Sequence, residues 1–355
     1  MPSSTIDTFL ACSIMIILAL SAMVGTSKIM APYLNDLSQR DDSERFQELA
    51  SHILLNTGNP TNWGQIRDTA PNSLGFAKAG TSLPYELDID KISRMNSENV
   101  FSLTYPQLWE ALGTQDIAFQ IEVKTLFDLS VNMISNSSQG NQTTYEFKVT
   151  TLKSGMPISA NLVGYVALKD FVEKAMPSTN SSGVGSFSVN IPNSLNGTAL
   201  MVVLARAQVN PQMVSFKTYS FGHNSLPPFP NRTFTRLSPL DYILNASLVY
   251  STAEILKARV FTYDYNFSLT EKAHGVQTRE YYIPHLLDSS PTIIVLTGTN
   301  GSTSFAEWVA YPQLPLQIGA NFNESIAGSK IVSKSHIVTI NSALYEVITK
   351  WGGQA

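Results

Sequence analysis

The sequence predicts a long N-terminal α-helix, part transmembrane and part stalk, followed by a mainly-β ectodomain. Three observations predict it. A nearly uncharged apolar run fills residues 6–24, and a mixed charged and apolar pattern with helical spacing follows to about residue 55. Beyond residue 116 the apolar period drops to two, the spacing of half-buried strands. At 355 residues the chain is long enough for two or three compact units. Its hydrophobic content of 43% suffices for real cores.

The helix comes first. Ile6 to Val24 reads IDTFLACSIMIILALSAMV, with Asp7 its only charge. At about 1.5 Å per residue such a run spans roughly 30 Å, the thickness of bilayer hydrocarbon. Phe9, Leu10, Ile14, Ile16, Ile17, Leu18, Leu20 and Met23 are the residues expected to face lipid or neighbouring helices. No Lys or Arg precedes Lys28, unlike the basic start of a cleaved leader, so the segment is expected to be retained. Residues 1–30 are therefore assigned to tail and transmembrane helix, and 31–58 to a stalk. In the stalk Leu34, Leu37, Phe46, Leu49, Ile53 and Leu54 form an intermittent stripe opposite the charged QRDDSER face. Pro32, between the two halves, is expected to kink or interrupt the rod.

The stalk should end in the stretch NTGNPTNWG, Asn56 to Gly64. Gly58 is placed to be its left-handed stop, and Pro60 prevents continuation. Trp63 is expected to plug the junction, making a rigid elbow of Gly58, Pro60 and Trp63. Residues 59–115 form a mixed junction segment. One short helix is expected from Asp88, and a second is capped by Thr104 and stopped by Gly113. Glu86, Asp88 and Asp90 alternate, which helix capping explains better than a cation site.

From Asp116 strands follow one another. Ile117, Phe119, Ile121 and Val123 alternate with polar residues, as do Tyr145, Phe147 and Val149, and Phe187, Val189 and Ile191. ALMVVLA around Met201 reads as a strand buried on both faces. A β-sandwich over 116–222 follows, then a Pro-rich linker, GHNSLPPFPNRT, and a second β-rich domain over 231–355. In the latter, Phe261, Tyr263, Tyr265 and Phe267 read as an aromatic core face, and HIVTINSALYEVITKW reads as a hairpin.

Composition narrows the function classes. Charged residues make up 14% of the chain, well below the usual ~25%, and the net charge is −4 without a basic patch. Nucleic acid is therefore not an expected partner. The lone cysteine, Cys12, excludes a disulfide within the chain and any multi-thiolate metal site. The five histidines are scattered and no nucleophile elbow, Walker loop or dinucleotide fingerprint occurs, so neither an enzyme nor a cofactor or metal is expected.

The most specific signal is the N-x-S/T sequon. Nine occur, at Asn136, Asn141, Asn180, Asn196, Asn231, Asn245, Asn266, Asn300 and Asn323. None of the asparagines before residue 136 lies in one. This asymmetry predicts covalent N-glycans on a distal part facing the outside of the cell.

Taken together, the apolar helix, the GNPTNWG break and the segments LGFA, YELDIDKISRMN and LTYPQLWEALG resemble archaeal pilin-like surface proteins related to type IV pilins. The resemblance is clearest over residues 6–113; beyond that it is architectural, and residues 116–222 resemble Ig-like modules, which makes the implied ectodomain one of Ig-like sandwich type. Asp7 lies about where many pilins carry an acidic residue. Type IV prepilins carry a basic and a small residue just before the helix, whereas Met1 to Thr5 contain no Lys or Arg. The resemblance implies a structural subunit of a pilus-like filament, assembled with copies of itself through the N-terminal helix. Membrane lipid is a further implied partner, and the location is a single-pass cell-membrane or filament protein with its C-terminal part outside. The alternative is a monomeric anchored surface glycoprotein that acts as a binding or adhesion module.

Overall fold

A computed structural model describes residues 3–114, 117–286, 288, 290–322 and 331–352; in the N-terminal helix, side chains are described for 12–28, 30 and from 44 onward. The chain divides into two compact units, Met1–Ser51 and His52–Ala355.

The first unit is helical. Helix α1, Ser3–Leu55, continues through Pro32 without interruption and ends in the first turn of the second unit. Its transmembrane assignment needs correction: among the described residues no helix is long and apolar enough to cross a membrane. The apolar stretch with described side chains, 12–28, covers about 26 Å of helix at ~1.5 Å per residue, short of roughly 30 Å of hydrocarbon. It also carries hydroxyls. Ser21 donates to Leu18 O at 2.9 Å and Thr26 to Ala22 O at 2.8 Å, so they turn back on the helix backbone.

The second unit opens with two short helices. Helix α2, Ile89–Ser93, is capped by Asp88, whose carboxylate accepts from the Asp90 and Lys91 N–H groups. Helix α3, Tyr105–Leu112, has a capping box between Thr104 and Gln107 and stops at Gly113 with φ 75°. The remaining architecture is β, arranged as four stacked layers.

The outer layer on one side pairs Asp128–Gln139, Gln142–Lys153 and Val184–Pro192, with the short Met156–Pro157 at its edge. Beneath it lies a nine-stranded sheet with Ala160–Leu168, Gly197–Ala207 and Asn210–His223 side by side. Phe147, Val149 and Ile191 of the outer layer pack on Leu162, Met201 and Val203. The other face of the same strands, with Tyr165, Val202 and Leu204, packs on Phe261, Ile293 and Val295. Those belong to a third layer of Ala253–Phe261, Asn266–Ser268, Thr292–Asn300 and Thr303–Tyr311. Its far face, with Ile294, Leu296 and Val309, meets Leu237, Leu244 and Tyr281 of the fourth layer. That layer comprises Thr235–Leu240, Ile243–Leu248, Thr270–His274 and Thr278–Tyr282.

This stack explains the unbroken apolar runs. A strand with sheets packed on both faces has no wet side, so ALMVVLA and TIIVL lack the period-two alternation of the outer strands. It also corrects the expectation of one Ig-like sandwich followed by another β domain. The nine-stranded sheet draws on both segments: Ala343–Gly352 pairs with Ala118–Thr125 along eight residue pairs and bridges Asn210–His223 in parallel at Met213 and Leu344. Sheet pairing thus runs across the expected 222–231 boundary. The segment 59–115 joins as well, through Glu86–Leu87 running parallel to Val332–Ile340.

Two local expectations have distinct outcomes. The HIVTINSALYEVITKW hairpin turns at Asn341 and Ser342, both left-handed at φ 49° and 67°, the two-residue geometry that matches strand twist. The aromatic stripe at 261–267 is not one face. A turn closed by Thr262 N–H to Tyr265 O follows Phe261, so Phe261 is buried while Tyr265 and Phe267 stack on each other at the surface.

Candidate functional site

Two features outside the β layers gather the residues singled out above: the apolar part of α1 and the NTGNPTNWG junction.

In α1, Ile14, Ile16, Ile17, Leu18, Leu20 and Met23 are all exposed, from 50% at Ile14 to 68% at Met23. Met15 and Val24 join them. Successive residues of an α-helix are about 100° apart, so a run such as 14–18 circles the whole helix. The surface is apolar all round, which is the pattern of a helix covered by other molecules. Cys12 is exposed on the same stretch. Phe9 and Leu10 lie outside the described side chains.

The junction is within the second unit and packs around Trp63 and Gly64, while Asn56, Asn59, Thr61 and Asn62 stay exposed. Trp63 opens a 3₁₀ turn, Trp63–Gln65, and is fully buried. Its indole N–H donates to Gly75 O at 2.9 Å, and Phe76 meets its ring edge-on at 6.0 Å. Gly58 has φ 73°, and a Cβ there would come within 2.5 Å of Ser73 O. A Cβ on Gly75 would come within 2.4 Å of Asn56 O, so two backbone segments touch where neither can carry a side chain. The Asn59–Pro60 bond is cis. Phe76 N–H donates to Ile53 O, tying the final turn of α1 into the same packing.

Two buried cations from α2 and its end hold this backbone. The Lys91 ammonium donates to Thr57 O at 2.8 Å and Ala77 O at 2.7 Å. Arg94 donates to Trp63 O at 2.7 Å, Phe101 O at 2.9 Å and Thr69 O at 3.1 Å. Each lies 5.9 Å from the Trp63 ring centroid, so the indole is flanked by two positive charges. Burial pulls the Lys91 ammonium down to about 8, opposed by the charge of Asp88, and lowers Arg94 as well. Asp90 points the other way. Its Oδ1 accepts from Tyr311 OH at 2.6 Å and Asp241 N–H at 2.8 Å. Burial pushes its carboxyl up to about 7, against those two hydrogen bonds and with help from the charges of Asp88 and Asp241. Every hydrogen bond the two cations make here goes to a carbonyl oxygen, so the cluster ties the junction backbone together.

The sequence pattern placed Gly58, Pro60 and Trp63 here but not Lys91 or Arg94. A readable signal was available: a Lys and an Arg three apart, interleaved with Ile92 and Met95, in a chain with few charges.

The sequons differ in access. Asn136, Asn141, Asn180, Asn196 and Asn266 are exposed. Asn245 and Asn300 are half-buried, and their side-chain oxygens accept from Ser247 and Thr252. Asn231 is held at both ends, its Nδ2 donating to Trp308 O at 3.0 Å and its Oδ1 accepting from Trp308 N–H at 2.9 Å. Asn323 lies outside the described residues.

No protein-family model matches the chain, and no curated protein sequence matches it. Among solved structures, HBP35 of Porphyromonas gingivalis is similar over 52% of this chain at 8% identity, with a TM-score of 0.21. The match spans 64% of that protein's chain. A similarity this low carries no argument about fold or function.

Proposed function

We propose that the chain is a structural subunit of an extracellular, pilus-like filament, assembled from copies of itself through residues 12–24 of α1. The observation that carries this reading is the apolar girdle at Ile14, Ile16, Ile17, Leu18, Leu20 and Met23, exposed on every side of the helix. Large exposed apolar surface is covered in the working state of a protein. Neighbouring helices of the same kind cover it without charge repulsion, because residues 8–27 contain no Asp, Glu, Lys or Arg. The β unit then faces outward, with N-glycans on its exposed sequons adding to a surface already rich in hydroxyls and amides.

The test is to shear cells that express the chain and to image and immunolabel the released material. Labelled filaments are expected from the wild type. Ile17→Asp combined with Leu20→Asp should remove the chain from them while leaving the β circular dichroism of the purified protein unchanged. Recovery of the wild type only as a detergent-bound monomer would replace helix–helix contact by lipid contact and overturn the filament reading.

A further inference from the structure

The β unit places one of its exposed sequons on the wall of a cavity of about 280 Å³. Asn196, in the link between Val184–Pro192 and Gly197–Ala207, is exposed and lines that cavity. Its amide is held at one end only. Lys169 Nζ donates to Asn196 Oδ1 at 2.8 Å, while Nδ2, the atom that carries an N-linked sugar, makes no hydrogen bond to a described residue. Asn231, by contrast, has both ends of its amide committed.

The rest of the sequon is fixed to the same wall. Thr198 donates through its N–H to Ser304 Oγ at 2.8 Å and through its hydroxyl to Ser304 O at 2.9 Å. A Cβ on Gly197 would collide with the Ser304 side chain, so the middle position of the sequon takes a glycine. The backbone at Asn196 is therefore anchored beside the cavity.

Another part of the lining is apolar and uncovered. Phe229 is 54% exposed and Leu226 is 83% exposed. Phe229 is the outermost ring of a packed row: it meets Phe234 edge-on at 5.4 Å, and Phe234 stacks on Phe305 at 5.0 Å. Thr299, Ser302 and Thr303 add hydroxyls, and Lys169 is the one charged residue of the lining. A sugar ring divides in the same way, with C–H groups on a face and hydroxyls around its edge. A sugar attached at Asn196 is also present at an effective concentration on the order of millimolar, so contacts too weak to hold a free saccharide suffice.

We propose, resting on the N-glycosylation in the proposed function, that the innermost sugar of a glycan on Asn196 folds into this cavity. Its C–H face covers Phe229 and Leu226, and its hydroxyls lie among Thr299, Ser302 and Thr303. In forming the linkage, Nδ2 bonds to the anomeric carbon of a lipid-phosphate-linked glycan and gives up a proton. The anomeric C–O bond breaks, and the phosphate leaves with its electron pair. The Oδ1 carbonyl is retained, so the Lys169 bond survives and continues to orient the amide. Thr198 is 7% exposed in the folded chain, so transfer to Asn196 precedes closure of this end of the fold.

The test compares three proteins solubilised in detergent: the full chain from its native host, the same chain from a host without N-glycosylation, and Asn196→Gln from the native host. Glycopeptide mass spectrometry reads occupancy, and hydroxyl-radical footprinting reads the oxidation rates of Phe229 and Leu226. An occupied Asn196 should slow oxidation of both residues by about threefold or more relative to the other two proteins. Val209, 79% exposed and outside the cavity, should oxidise equally in all three. Asn266→Gln from the native host, which removes a different sequon, should leave Phe229 and Leu226 protected. An occupied Asn196 with equal oxidation in all three proteins overturns the proposal and leaves glycosylation standing, as does an unoccupied Asn196 beside other occupied sequons. No occupied sequon anywhere overturns both. Slow oxidation that persists in Asn196→Gln assigns the cover to another molecule, such as a second copy of the chain, and likewise overturns the proposal.

Discussion

Replacing Asp90 by asparagine isolates the cost of ionising a buried carboxyl. Asp90 is 1% exposed, and a single oxygen accepts from Tyr311 OH and Asp241 N–H. An asparagine Oδ1 keeps both bonds and cannot ionise. Burial raises the wild-type carboxyl from 3.8 to about 7. Between those values the folded protein holds a proton that the unfolded chain has released. The associated stability is therefore fully present below about pH 4 and is lost as pH rises through 7. A shift of roughly three units corresponds to about 4 kcal/mol at ~1.4 kcal/mol per unit. Part of that loss has already occurred by pH 5, so the advantage of Asp90→Asn over wild type should widen by about 2–3 kcal/mol between pH 5 and pH 8. Urea titrations of both proteins at pH 5, 6, 7 and 8, followed by circular dichroism, measure the difference directly, because titrating groups remote from Asp90 contribute equally to each and its charged neighbours Asp88 and Asp241 change only through their coupling to it. Parallel stability profiles across this range would refute the reasoning. So would a variant that is the less stable of the two at pH 8.

Three other substitutions and one modification pattern probe the rest of the molecule. Lys91→Met leaves Thr57 O and Ala77 O without their buried donor and should lower stability by about 2–6 kcal/mol in urea titration, at ~1–3 kcal/mol per stranded group. Trp63→Ala empties a fully buried site and removes the Gly75 O bond, which should cost about 3–5 kcal/mol by the same measurement. Gly75→Ala drives a methyl to within 2.4 Å of a backbone oxygen and should lower the melting temperature, whereas Gly80→Ala, with open space around its Cβ, leaves those contacts untouched and should lower it less. Glycopeptide mass spectrometry of the protein from its native host should find occupied sites among Asn136, Asn141, Asn180, Asn196 and Asn266, and an unmodified Asn231, whose amide is engaged with Trp308.

Local features of the fold were legible because each rests on a few neighbouring residues. The cap at Asp88, the Thr104 capping box, the Gly113 stop and the tight hairpin at Asn341 all follow from side chains within a turn of their effect. ALMVVLA announced burial on both faces, but the sequence around it did not say which sheets cover it. That depends on pairings such as Phe119 with Trp351 and on packing such as Tyr165 against Phe261, between residues far apart in the chain. Apolarity alone also misjudged α1 as a span, since hydroxyls and Lys28 interrupt the described stretch. At the junction, Trp63 stood out as an unusual loop residue. Its cationic partners did not, because Lys91 and Arg94 look like the solvated face of a short helix until the backbone folds over them.

The strand Ala343–Gly352 pairs with Ala118–Thr125 and bridges Asn210–His223, so the broad sheet is completed by a segment that leaves the ribosome long after its neighbours. Until it arrives, Phe119, Ile121 and Val123 lack one of their two neighbouring strands, Leu316–Gly319 pairing only with residues 120–123. The loop that must close to bring it there is among the longest the unit contains, which makes this contact slow relative to the hairpins around it. The broad sheet of a nascent chain with this topology therefore stays incomplete until Ala343–Gly352 has emerged, however early its hairpins form.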